Sequence, residues 1–271
     1  MTGRIAAVQC TSVSDPEKNK RALSVLISEA ASQGADLVLL PEMCLSMNSD
    51  YYQELAEDSA TLDWLAAQAA THSLWLVAGA VPQPAPGDDA RVRSASLVFN
   101  PEGELVKRYD KIHLFDVAIE NGPQLMESKH TEAGDIAVTS ETIFGKLGLT
   151  ICYDVRFPAL YQRLTELGAI AHAVPSAFTK ETGQAHWHTL LQARAIETQS
   201  YIIAPAQHGR HSKNRSSFGH SVIIDPWGRV LAELPDGDGF ALAEINEERV
   251  SEVRAQIPSL LNKRAFRSST Q

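Results

Sequence analysis

Short apolar runs of strand length alternate with stretches of helical spacing along the whole chain, and this alternation limits the fold more than any other feature. Ile5 to Cys10 reads as a strand, and Ser14-Asp15-Pro16-Glu17 carries a helix start signal resembling a capping box. Ala22, Leu23, Leu26, Ile27 and Ala30 then share one helical face, and Gly34 stops the helix before the buried run Leu37 to Leu40. A helix near Leu62 to Thr71, a strand from Trp75 to Val81 and an exposed loop from Pro82 to Asp89 follow. A hairpin turns at Asn100-Pro101-Glu102-Gly103, and its second strand ends near Lys111. After an irregular polar stretch, Lys146 to Cys152 reads as a strand, Pro158 to Leu167 as a helix closed by Gly168, and Ala169 to Val174 as a strand. A helix over His186 to Glu197, a strand from Tyr201 to Ala206, a hairpin turning at Asp225 to Gly228, a strand from Phe240 to Ile245 and a last helix complete the pattern. Crossovers and hairpins together predict an α/β fold with mixed sheets covered by helices. No linker or repeat divides it, so one domain over residues 1–266 is expected, with Arg267 to Gln271 a frayed tail.

Composition removes several function classes. With 24 basic and 33 acidic residues the net charge is -9, which disfavours nucleic acid and anionic membranes as partners. No window approaches the roughly 18 to 20 apolar residues of a membrane span. The N-terminus runs at once into a strand and lacks the sections of a signal peptide, so a cytoplasmic location is expected. Cys10, Cys44 and Cys152 are odd in number and widely separated, which suggests neither a disulfide framework nor a zinc knuckle.

Three strand ends carry reactive side chains: Glu42 in L-L-P-E, Lys111 in Y-D-K-I-H-L-F and Cys152 in I-C-Y-D-V-R-F-P. Strand ends in α/β folds converge on a common crevice. Glu127, in the irregular segment E-N-G-P-Q-L-M-E-S-K, adds a second carboxylate. Thiol-based amide hydrolysis needs such a set, because the thiol must lose a proton and the tetrahedral oxyanion must be stabilised. Each residue also has a plain structural reading. Cys152 alone reads as a buried strand terminus, Glu42 as a helix-capping carboxylate, and Lys111 and Glu127 as solvated charges.

In these local contexts and this order, the chain resembles the carbon-nitrogen hydrolases of the nitrilase superfamily, from the first strand to about Phe266. The resemblance implies a four-layer αββα sandwich of two mixed sheets and a Glu-Lys-Cys triad at Glu42, Lys111 and Cys152, with Glu127 as the second glutamate. C-Y-D-x-R-F-P is similar to amidase branches, whereas nitrile-cleaving members show Trp and Glu after the cysteine. P-S-A-F-x-x-x-T-G-x-A-H-W, A-R-A-I-E-T-Q, A-Q-x-G-R-H and F-G-H-S-x-x-x-D-P-W-G resemble the Nit1-type deaminated glutathione amidases more than the Nit2-type omega-amidases. The chain departs from that pattern in the loop from Cys44 to Tyr52, a candidate lid, and at Gln184.

By this resemblance Glu42 is the general base, Lys111 and the Tyr153 backbone N–H stabilise the oxyanion, and Glu127 positions Lys111. No metal or organic cofactor is implied. The implied partner is a small, anionic amide substrate, for which Arg156, Arg210 and Arg215 are candidate carboxylate binders, with Ser176, Phe178 and Trp187 behind them. A homodimer or higher homo-oligomer is expected from the family. Arg156 reads equally as a partner of Asp154 or a dimer contact, Arg210 and Arg215 as a solvated basic loop, and the aromatics as core. The competing functions are an omega-amidase acting on 2-oxoglutaramate, an N-carbamoyl amide hydrolase, a catalytically silent binding protein on the same fold, and a metalloenzyme using His186 with His188 or His208 with His211.

Overall fold

A computed structural model describes residues 1–88, 90–118 and 124–266 of the chain. Its strands and helices follow in order: β1 (Thr2–Cys10), α1 (Pro16–Ser32), β2 (Leu37–Leu40), α2 (Tyr52–Glu57), α3 (Ser59–His72), β3 (Trp75–Pro84), β4 (Val92–Phe99), β5 (Leu105–Asp110), β6 (Asp116–Ala118), β7 (Gln124–Met126), β8 (Thr139–Thr142) and β9 (Gly145–Leu149). The second half continues with α4 (Pro158–Glu166), β10 (Ala171–Ala173), α5 (Lys180–Thr198), β11 (Tyr201–Ala204), β12 (Ala206–Arg210), β13 (Ser216–Phe218), β14 (Ser221–Ile224), β15 (Val230–Leu234), β16 (Gly239–Asn246), α6 (Glu247–Gln256) and α7 (Ser259–Asn262).

Two mixed sheets result. The first runs β13-β12-β1-β2-β3-β4-β5, with β16 also paired to β1, and the second runs β15-β14-β11-β10-β9-β8. The period of two along each strand explains the layering. Ile5, Ala7, Leu37 and Leu39 point into the core shared with the second sheet, whereas Ala6, Val8, Val38 and Leu40 face α1 and α3 through Leu23, Ile27, Leu65 and Ala69. Tyr161 of α4 with Leu191 and Ala195 of α5 join the second sheet's core. The expected α/β fold of mixed sheets flanked by helices is therefore present.

Local signals act as the sequence predicts at several boundaries. Asp15 caps α1 by accepting from the Glu17 and Lys18 amides, and Asn100 closes the β4–β5 turn by accepting from the Glu102 and Glu104 amides.

Besides the short elements α2, β8, β12 and β13, which the sequence did not signal, four segments differ from expectation. Pro82 to Pro84 is not loop but the end of β3, which continues past a bulge at Ala80 to pair with β4; Pro82 and Pro84 carry no N–H, which is tolerated because β3 beyond Ala78 no longer pairs with β2 and is an edge. Asp89, the end of the expected loop, lies outside the described residues. Helix α5 begins at Lys180, six residues before His186, because Thr179 accepts from the Thr182 amide as an N-cap. The irregular stretch holds a small hairpin of β6 and β7 that delivers Glu127. Finally, β9 stops at Leu149, and Cys152 opens a 3-10 turn instead of closing a strand. The tail at residues 267–271 also lies outside the described residues.

Candidate active site

Cys152 owes its position to a backbone turn that no propensity predicts. Its φ is 47°, in the left-handed region that side chains with a Cβ rarely adopt, and its own N–H donates to Pro175 O at 2.9 Å. Pro175 approaches because Gly79 of β3 has no side chain: a Cβ there would stand 2.2 Å from the Pro175 Cβ. Thus the first sheet supports the turn that the second sheet ends in. The first 3-10 bond runs from Asp154 N to Ile151 O, so the Tyr153 N–H precedes the turn's bonds.

One buried carboxylate joins this turn to the lysine segment. Asp154 accepts from Ile151 N at 2.8 Å and from Tyr109 Oη at 2.7 Å on one oxygen; the other oxygen contacts His113 N at 3.1 Å and His113 Nδ1 at 2.7 Å. Tyr109 and His113 flank Lys111, so the nucleophile turn and the cation are held by the same group. The His113 ring stacks on Phe157 with centroids 3.6 Å apart.

Lys111 is 1% exposed and sits among carboxylates. Its Nζ donates to Glu42 Oε1 at 2.8 Å and to both Glu127 oxygens at 3.0 and 2.9 Å. Burial alone would favour loss of its proton, but the charges of Glu127 and Glu42 hold the ammonium well above its ordinary pKa. Burial raises the Glu127 carboxyl, Lys111 opposes that shift and Glu42 adds to it; the Phe115 amide donates to Glu127 at 2.7 Å and fixes its orientation. Glu42 takes the Ala177 amide on Oε2 at 2.9 Å and lies close enough to the Cys152 thiol for its charge to act on it. Burial, reinforced by the Glu42 charge, lifts the thiol well above its ordinary value despite Lys111 nearby. The resting site is therefore a neutral thiol beside a carboxylate and an ammonium, which can move one proton and stabilise one developing negative charge.

These four side chains form the floor of a cavity of about 610 Å³. Tyr153, Arg156, Phe178 and Arg215 line it as expected from the sequence. Arg156 is not bound to Asp154; its guanidinium meets His186 Nδ1 at 3.3 Å and lies over the Phe178 ring at 5.4 Å. Arg215 donates to Met47 O at 3.1 Å and to Met43 Sδ at 2.9 Å, tying down the loop from Cys44 to Tyr52.

Three expected binders do not line the cavity. Ser176 is buried and donates to Val174 O, bracing the chain behind the wall. Trp187 is core: its Nε1 donates to His220 O at 2.9 Å and its ring packs on Phe178 from behind. Arg210 folds back on the exposed carbonyls of Ser212 and Lys213, which a tight polar turn supplies more cheaply than a distant ligand. The histidine pairs also separate. His186 turns to Arg156 and His188 to Glu233, while His208 meets Asp236 and His211 meets Ser12 O.

Other lining residues carried no motif. Lys129, Lys180, Asn214 and Tyr52 all face the cavity. Tyr52 lies in the loop that departs from the family pattern, which is the one signal that could have found it; burial pushes its hydroxyl pKa up, against the pull of Arg215.

Comparison with known proteins gives the family and the fold. A family model described as carbon-nitrogen hydrolase matches residues 4–255. The deaminated glutathione amidase of Synechocystis is 43% identical over 260 residues, covering 94% of this chain and 96% of the relative. Among solved structures, the NitFhit protein of Caenorhabditis elegans superposes with a TM-score of 0.91 at 38% identity, over 97% of this chain and 65% of that longer one. Saccharomyces cerevisiae Nit3, described as a member of branch 10 of the nitrilase superfamily, superposes with a TM-score of 0.85 at 30% identity, over 95% and 94% of the two chains.

Proposed function

Since this chain belongs to the carbon-nitrogen hydrolase family, whose members break carbon–nitrogen bonds other than peptide bonds, we propose that it is an amidase that cleaves deaminated glutathione to 2-oxoglutarate and cysteinyl-glycine. The observation that carries this reading is the position of Glu42, which binds the Lys111 ammonium at 2.8 Å and shares with the Cys152 thiol the floor of a cavity whose walls hold Arg156, Lys180 and Arg215. The relatives' activity supplies the substrate, and the basic wall suits its carboxylates.

Glu42 takes the thiol proton as Sγ attacks the amide carbon, so the charge that ionisation would strand in a buried site passes at once to the carbonyl oxygen. Lys111 and the Tyr153 N–H receive that oxyanion. On collapse the carbon–nitrogen bond breaks, Glu42 returns the proton to the leaving amine, and an acyl thioester remains. A water that gives its proton to Glu42 then attacks the thioester, releasing the carboxylic acid and a thiolate that regains its proton. Glu127 holds Lys111 through two hydrogen bonds and keeps it charged throughout.

A homodimer and a cytoplasmic location belong to the same proposal. Trp227, Val230 and Leu231, each exposed on the β14–β15 hairpin, support the first. The need to keep the Cys152 thiol reduced supports the second. No helix among the described residues is long and apolar enough to cross a membrane.

The test is paired kinetics on deaminated glutathione and 2-oxoglutaramate, following 2-oxoglutarate release, with Cys152→Ala as control. A kcat/KM much higher for the dipeptide-bearing substrate supports the proposal. The reverse preference makes the protein an omega-amidase.

A further inference from the structure

Outside the catalytic cavity, His188 of α5, Glu233 of β15 and His220, between β13 and β14, turn their polar atoms toward one point. The Glu233 Oε1 stands 3.0 Å from His188 Nε2 and 2.5 Å from His220 Nδ1, and all three ligand atoms lie within 4.8 Å of one another. None of the three residues lines the cavity, and the hydrolytic mechanism uses none of them.

We propose that this cluster is a binding site for a borderline divalent transition metal such as zinc, separate from the amidase centre. Two imidazole nitrogens and one carboxylate oxygen are the donor set that zinc takes when three protein groups bind it and a fourth position stays open to water. Zinc bonds of roughly 2.1 Å place tetrahedral ligand atoms about 3.4 Å apart. The observed separations therefore need only small rotations of side chains that are 35%, 27% and 27% exposed. Both histidines already face the oxygen with the nitrogen that would bind.

The site is also held in place, as metal ligands require. His220 sits at a φ of 59° between Gly219 and Ser221, a left-handed conformation held because Trp187 donates to its carbonyl and Phe218 stacks on its ring at 4.3 Å. The three ligands come from three elements, so a bound ion would clip α5 to the β14–β15 hairpin. Trp187, which holds His220 from one side, supports the cavity wall residue Phe178 from the other, with ring centroids 4.8 Å apart.

The experiment is calorimetric titration of the metal-stripped full chain with zinc, in a Cys152→Ala background so that the active-site thiol cannot contribute. One equivalent is expected to bind, with a rise in Tm when zinc is added. Binding should weaken at least tenfold in His188→Ala and separately in Glu233→Gln. Both residues are partly exposed, so these variants should fold, and in the Cys152-containing protein they should leave amide turnover unchanged. Absence of a one-to-one binding event, or binding that both substitutions leave intact, overturns the proposal. Because the readout is metal binding and Tm, failure here leaves the amidase reading untouched, and failure of that reading leaves this site standing.

Discussion

Asp154→Asn should damage this protein more than any other isosteric change outside the four reactive residues. The wild-type carboxylate receives four contacts, two on each oxygen. An asparagine fits the same space but must point its NH₂ at one of the two pairs. Facing His113 is the less costly choice, since the ring can change tautomer and accept at Nδ1. The His113 N–H is then orphaned inside the protein, at about 1–3 kcal/mol. The bonds from Tyr109 and Ile151 keep an acceptor but lose its charge, which removes about 1 kcal/mol from each. The sum is about 3–5 kcal/mol, a large share of a typical domain stability. Urea unfolding of the purified variant should show it as a lower midpoint at unchanged slope. Because Tyr109 and His113 bracket Lys111 while Ile151 precedes Cys152, kcat should fall by about ten- to a hundredfold with KM changed little, as expected when a shift of the reacting groups raises the barrier. Stability within 1 kcal/mol of wild type together with unchanged kcat would refute the idea that this carboxylate joins the two halves of the site.

Lys111→Ala should lower kcat/KM by at least about a hundredfold, measured at substrate concentrations well below KM, since it removes the buried cation to which the proposed mechanism assigns the oxyanion. Because burial and Glu42 hold the Cys152 thiol protonated, inactivation by iodoacetamide should keep accelerating through pH 9; a plateau below pH 7 would contradict that resting state. His172 is fully buried and burial pulls its pKa down to about 3, so the unfolded chain binds a proton that the folded chain refuses. Its contribution is present above the ordinary value near 6.5 and is lost as pH falls toward 3, with a ceiling on the order of 5 kcal/mol. The stability gap between wild type and His172→Gln, followed from pH 7 to pH 4, should shift in favour of the variant. Gly79→Ala would drive a Cβ into Pro175 and the Leu40 carbonyl, so it should cost about 1–3 kcal/mol and most of the activity; a fully active, stable variant would show that the sheets can part there freely.

The start of α1 and the β4–β5 turn were legible because they depend on groups close in the chain. Asp15 reaches amides two and three residues on, and Asn100 reaches those two and four residues on. The apolar alternation of β1 and β2 likewise expresses both faces of a buried strand. The end of β9 was not legible, because what stops it is Pro175 O accepting from Cys152 N and Asp154 accepting from Ile151 N in a left-handed turn. Nor could the sequence separate Arg215, which faces the cavity, from Arg210, which folds onto its own turn five residues earlier.

The sequence by itself determined the alternation of strands and helices, and it named Glu42, Lys111, Glu127 and Cys152 as the groups able to do thiol chemistry. Only the tertiary structure decided that one lysine amine touches both glutamates, that burial and the Glu42 charge raise the thiol's pKa, and that Ser176, Trp187 and Arg210 stand behind or away from the cavity. The physical reason is range. Propensity and periodicity are set by neighbours within a few residues, whereas burial, Coulomb energy and close approach depend on groups that the fold brings together: Glu42 and Lys111 are 69 residues apart in the chain and 2.8 Å apart in space.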